Sequence, residues 1–175
     1  MKKNIGVSER LYPNPVALIS CSYGGSDNII TLAWLGTVCS NPPMISISIR
    51  PERYSHELIS KSGEFVINIP DSGMTEICNF CGSRSGRDTD KFEALKLNRE
   101  KGLKLNTPMI KECPVSIECI VRQTLNLGTH NVFIGEVVSV NAEEKYIYSD
   151  GDIDYEKINM ITYLMGNYYK TTMIK

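Results

Sequence analysis

The chain has 175 residues, 42% of them hydrophobic, with 19 basic against 20 acidic side chains for a net charge of −1. That length suits a single domain, 1–175, with a sizeable core, and the balanced charge excludes a general attraction to nucleic acid or anionic membrane. No stretch approaches the roughly 20 apolar residues of a membrane span, and no apolar run follows Lys2 and Lys3, so a cytoplasmic protein with six reduced cysteines is expected.

Residues 1–14 read as an irregular lead-in ahead of Pro15. Val16–Cys21 is a β-rich run, Tyr23–Asn28 supplies turn chemistry, and Ile29–Leu35 resumes as a strand, together a β-hairpin. Asn41-Pro42-Pro43 punctuates, because proline cannot donate to a sheet ladder. Met44–Ile49 then alternates, with Ile45, Ile47 and Ile49 on one face and Ser46, Ser48 and Arg50 on the other. Ser55 is placed to cap a short helix, His56–Ser62, with Gly63 as its stop. Glu64–Ile69 is a further strand, and a second helix starts near Asp71 or Ser72 and runs through Cys78 and Cys81 to Gly82. Residues 83–112 are polar and loop-like, with a weak helix at Glu93–Leu97. Two longer strands, Val115–Thr124 and Asn131–Asn141, flank the turn Leu127–His130. An acidic, turn-rich stretch follows, and then Tyr163, Tyr168 and Tyr169. At least six strands at hairpin-like spacing, with short helices inserted, predict a closed or nearly closed antiparallel barrel.

Four groups of residues could carry chemistry. Arg50, Arg53 and Ser55 stand at a helix N-terminus, where unpaired N–H groups and arginine forks suit a phosphate. The loop Ser83–Lys91 gathers Ser, Gly, Arg and Lys, and could make a second anion contact. On composition alone, both are more simply solvated surface. Cys78-x-x-Cys81 has the spacing of a dithiol or half a zinc site. It lacks a second pair, so two thiols packed on one side of a helix is the favoured reading. His130, in a turn, could exchange a proton near neutral pH. No hydrolase triad, P-loop or dinucleotide fingerprint is present.

Taken in order, PNPVALISC, TLAWLGTVCSNPPMISISIRPERYSHELI, GEFVIN, CGSRSGRDTDKF and LGTHNVFIGEVVSV resemble the flavin reductase-like family of FMN-binding split β-barrels, and within it the flavoredoxin-type members. The similarity runs from about Tyr12 to Tyr169. It implies a mainly β, antiparallel, six-stranded Greek-key split barrel that binds FMN near a homodimer interface. By that resemblance Thr31, Ala33, Trp34, Leu35 and Thr37 lie along the isoalloxazine and ribityl, while Arg50, Arg53 and Ser55 hold the phosphate. Ser85, Gly86 and Lys91 belong to the loop that closes over the cofactor. His130 falls in the family's Gly-Asp-His segment, on the nicotinamide side; here that segment is Gly128-Thr129-His130. The implied activity is an oxidoreductase using NADH or NADPH as donor. The alternatives are a flavoredoxin-type electron carrier served by a redox protein partner and, from a different class, a thiol or zinc protein built on Cys78 and Cys81.

Overall fold

The computed structural model describes residues 1–174. Its regular elements begin with β1 (Asn14–Pro15), β2 (Ala17–Tyr23), β3 (Ser26–Leu32), β4 (Leu35–Ser40) and β5 (Pro43–Ile49). Next come α1 (Tyr54–Ser62), β6 (Glu64–Ile69), a 3₁₀ turn at Ser72–Met74, α2 (Thr75–Ser83) and α3 (Lys91–Leu95). A short pair, β7 (Arg99–Glu100) and β8 (Met109–Ile110), precedes the long strands β9 (Val115–Leu127) and β10 (His130–Ala142). The last hairpin is β11 (Ile161–Leu164) and β12 (Asn167–Lys170), which adds to β1 as a small separate sheet.

The main sheet is antiparallel throughout, in the order β3-β2-β6-β9-β10-β5-β4. It has seven strands where the sequence suggested six, and the difference arises at Ala33–Trp34. The run Ile29–Leu35 reads as one strand, yet the chain bends there and changes partners: β3 pairs with β2, whereas β4 pairs with β5. Those pairings lie at opposite ends of the sheet. Leu32 and Leu35 are three residues apart, a span of at most about 11 Å, so the two ends must curl round to meet. The Trp34 carbonyl accepts the Ser48 N–H at 2.9 Å and fixes that corner.

The interior of the curl is a single apolar cluster drawn from both ends of the sheet. Ile30 and Leu32 from β3 join Ile47 and Ile49 from β5, with Phe65 from β6 and Phe133 from β10. The alternation expected in β5 is observed: Ile47 and Ile49 are buried, and each contributes roughly 1.5–3 kcal/mol through burial. α1 closes this core with Leu58 and Ile59, and stops where Gly63, at φ 70°, returns its N–H to the Ile59 carbonyl. On the outer side of β2 and β3 lies a second cluster, in which Leu18 and Ile29 meet Cys78 and Cys81 of α2 and Phe92 of α3.

Two local differences bear on the site. The sequence placed Asn28 in a turn, but the turn is only Gly24-Gly25, both at positive φ, so the ladder runs out to Tyr23 opposite Ser26. Asn28 is therefore within β3, opposite Cys21, and buried. The region 83–112 is also more ordered than its composition implies. Buried Glu118 of β9 accepts the N–H groups of Leu103, Lys104 and Leu105 and the Asn141 amide, at 2.7–3.0 Å. Burial pushes this carboxyl up, but those donors outweigh it and hold the group below its usual range.

Candidate functional site

α1 starts at Tyr54, two residues earlier than expected, with Arg53 as an N-cap that makes no side-chain bond to the helix. Ser55 is consequently not the cap. It is buried inside the first turn, and its Oγ accepts from Asn28 Nδ2 at 2.8 Å. The first N–H groups of a helix have no intrahelical partner and lie at its positive end. Beside them is a hollow of about 150 Å³, lined by Arg53, Ser55, Arg84, Ser85, Gly86 and Lys91. Five of these were expected from the sequence. The carboxylate on its rim, Glu52, is turned to Arg50 at 3.7 Å.

Lys91 is the unusual member. It is 2% exposed, and its ammonium donates to the carbonyls of Ile29 at 2.6 Å and Cys81 at 2.9 Å. Cys81 lies in the last turns of α2, so the charge also meets that helix's negative end. The titratable groups around Lys91 are the Cys81 and Cys21 thiols and Arg53, with no carboxylate among them. Burial lowers its pKa. An ammonium carries three donors, and two are accounted for. A buried cation without a counter-charge among the described residues, beside a helix N-terminus and two arginines, suits an anion.

Asn28 also lines the recess; it is 3% exposed and its Oδ1 has no hydrogen-bond partner among the described residues. Gly86 closes directly over this side chain: a Cβ there would come within 2.1 Å of Asn28 Oδ1. Only glycine permits that approach. Asn28 was missed in the sequence because it was assigned to a turn. Arg84 was read only as one residue of the Ser83–Lys91 loop and was not singled out as a phosphate contact.

From this recess a series of hollows leads to the Trp34 corner. Gly82 lines both the small recess and a hollow of about 340 Å³ that contains Thr31, Ala33, Tyr163 and Tyr168. Ala33 in turn joins that hollow to a groove of about 780 Å³ whose walls include Trp34, Leu35, Gly36 and Thr37. Thr31 is fixed by its Oγ1 donating to the Cys78 carbonyl at 2.6 Å. The apolar residues expected to line a ring system and the residues expected to hold a phosphate thus lie at two ends of one path. Arg50 is not among the recess lining. Its half-exposed side chain lies on the His130 side instead.

His130 packs against Trp34, ring centroids 4.6 Å apart, and its Nδ1 is 2.9 Å from Thr129 Oγ1. Partial burial, then the charge of Arg50, lowers its pKa, so the imidazole is neutral at pH 7. Next to it, Asn131 Nδ2 lies 2.8 Å from His56 Nε2. The C-x-x-C pair has a different character. Cys78 and Cys81 are buried in the second core, and burial pushes their thiols up to about 12 and about 11. Thiols held protonated in this way are poor nucleophiles and metal ligands.

This arrangement, a curled antiparallel sheet with a cationic recess and an apolar corner along one groove, defines a split-barrel flavin-binding class. The chain belongs to the flavin reductase-like family, whose domain description, "Flavin reductase like domain", matches residues 9–157. An uncharacterized protein of Archaeoglobus fulgidus is 31% identical over 152 residues, covering 87% of this chain and 85% of that protein. Among solved structures, flavoredoxin of Desulfovibrio vulgaris (Miyazaki F) superposes with a TM-score of 0.93 at 30% identity, covering 100% of this chain and 96% of that one. Flavoredoxin from Methanosarcina acetivorans gives 0.90 at 31% identity, covering 99% and 94%. The residues present fit an FMN: the uncompensated Lys91 suits its phosphate, and the corner at Ala33–Trp34 suits a planar ring.

Proposed function

We propose that this chain is an FMN-binding oxidoreductase that takes electrons from NADH or NADPH. The observation that carries this reading is Lys91, a buried cation paired with no carboxylate among the described residues, placed in the same recess as Arg53, Arg84 and the α1 N-terminus. FMN, when bound, supplies the redox chemistry, accepting two electrons from a donor and passing them on. The protein's part is to bind, orient and exclude water. Lys91, Arg53, Arg84 and the first-turn N–H groups of α1 hold the phosphate, and Ser55, Ser85 and Gly86 shape the recess around it. Thr31, Ala33, Leu35 and Thr37 line the path for the ribityl and ring, with Trp34 as its outer wall. His130, neutral and braced on Trp34, is positioned to hold or move a proton at Nε2 on the donor side.

A homodimer belongs to this proposal. The outer face of β9 and β10 carries Leu125 directly opposite Val132, with Leu127 60% exposed at the tip and Val38 52% exposed on β4. An apolar face of that kind next to the Trp34 corner suits a second copy covering the groove. We assign the protein to the cytoplasm, where its five buried thiols stay reduced.

The second reading, a flavoredoxin-type electron carrier with a protein donor, is favoured by the identity of 30–31% to two flavoredoxins along nearly the whole chain. One experiment separates the two. The purified protein is examined for flavin absorbance, loaded with FMN and mixed anaerobically with NADH and then NADPH. Rapid bleaching by either supports the reductase. Bleaching only by a reduced ferredoxin-like donor selects the carrier, and failure to bind FMN refutes both.

A further inference from the structure

The phosphate recess shares two lining residues, Tyr54 and Gly86, with a larger polar hollow of about 630 Å³ on its far side. Arg87 stands on that far side. Its guanidinium lies 4.9 Å above the Tyr54 ring, and its Nη2 is 2.8 Å from Glu57 Oε2 on α1. The Arg87 N–H donates to Ser85 Oγ at 3.2 Å, and Gly86 is pressed against Asn28 of β3. The partition is therefore tied to α1 and β3 at once. We propose that this partition of Tyr54, Gly86 and Arg87 makes the site selective for a flavin ending in a phosphate monoester, with Arg87 as the residue that excludes the dinucleotide. The inference rests on the flavin reading above.

The argument from size is direct. The recess of about 150 Å³ has the room of about five water molecules, enough for one phosphate and not for a second phosphate with its nucleoside. A dinucleotide must either pass its adenylate half across the partition or withdraw its phosphate from Lys91 and Arg53. The far hollow has space for an adenylate, but its charges are already engaged. Arg99 is held by Asp27, Asp90 and Glu93, and Arg87 by Glu57. Asp88 and Asp90 would face the incoming anion. A monoester phosphate also presents three terminal oxygens and close to two charges at neutral pH, which matches three cations and a helix N-terminus. The flavin-side phosphoryl of a dinucleotide, joined to the second phosphate through an anhydride, presents two terminal oxygens and one charge.

Isothermal titration of the flavin-free protein with riboflavin, FMN and FAD tests this without any turnover. FMN should bind more tightly than FAD by about 30-fold or more, the loss of at least one charge-assisted contact. In Arg87→Ala that preference should narrow by roughly tenfold, with FMN still bound far more tightly than riboflavin. Arg87→Lys, which keeps the Glu57 pair but loses the flat stack on Tyr54, provides the same reading if the alanine variant does not fold. Equal affinity for FMN and FAD in the wild type overturns the inference, as does an FMN to FAD ratio unchanged in both variants. FMN binding no tighter than riboflavin overturns instead the phosphate reading on which it rests.

Discussion

Replacing Lys91 with methionine separates what this residue does for the fold from what it does for a ligand. The change deletes two charge-assisted bonds to backbone carbonyls, roughly 1.5–3 kcal/mol each. It also removes the several kcal/mol cost of burying an ammonium without a counter-ion. The terms oppose, so the flavin-free variant should unfold within about 2 kcal/mol of the wild type. Affinity for FMN has no such compensation. Losing one charged contact to phosphate raises the dissociation constant about 10- to 150-fold. At an FMN concentration 100 times the wild-type constant, the wild type gains about 2.7 kcal/mol of stability and the variant only about 0.3–1.4 kcal/mol. Thermal unfolding with and without FMN reads both quantities. Burial lowers the Lys91 pKa, so the folded chain releases this proton at a lower pH than the unfolded chain. Its cost to the flavin-free fold is full below the folded pKa and fades as pH rises towards the unfolded value of about 10.4. FMN affinity moves the other way and falls as the ammonium deprotonates. Lys91→Met should abolish both alkaline trends. An unchanged FMN affinity would mean that the ammonium serves only the two carbonyls, and the recess would lose its central argument.

Arg53→Ala should weaken FMN binding by roughly 1.5–3 kcal/mol, whereas Arg50→Ala, outside the recess, should change it by less than about twofold; titration of both variants compares them directly. Gly86→Ala places a Cβ 2.1 Å from Asn28 Oδ1, and should destabilise by about 1–3 kcal/mol while reducing FMN affinity, read by denaturant unfolding and titration. Glu118→Gln leaves N–H groups of the 103–105 segment facing an amide NH₂ and should cost about 2–3 kcal/mol. Because that carboxyl's pKa is lowered, its contribution is present above the unfolded value of about 4.3 and lost as pH falls through the folded one. Glu118→Gln should therefore flatten the acid limb of the stability profile.

The strands and α1 were legible because their signals are local. Alternation in Met44–Ile49, the prolines after Asn41 and the glycine after Ser62 act over a few residues. The corner at Ala33–Trp34 was not, because nothing in Ile29–Leu35 shows that the two halves of one apolar run pair with strands at opposite ends of a sheet. The same limit hid Asn28 and left Arg84 as one residue of a polar loop, because the relevance of both comes from what packs on them. Lys91 was named as part of a loop, yet its meaning lies in its burial between Ile29 and Cys81, which no spacing reveals. Ser55 illustrates the opposite error: a residue type that suits a cap was assigned to one, while the helix began earlier and used it as a buried partner for Asn28.

The Ala33–Trp34 corner joins the two ends of the sheet through the covalent chain, with β3 and β4 left as outer strands whose far edges carry no ladder partner from the same sheet. A ligand lying along Thr31 to Thr37 spans that seam. Its binding free energy should then appear as slower amide hydrogen exchange along β3 and β4, with β6 and β9 at the centre of the sheet little changed. In mechanical terms such a ligand would be a rivet across a joint between β3 and β4 that the sheet's own ladder leaves open.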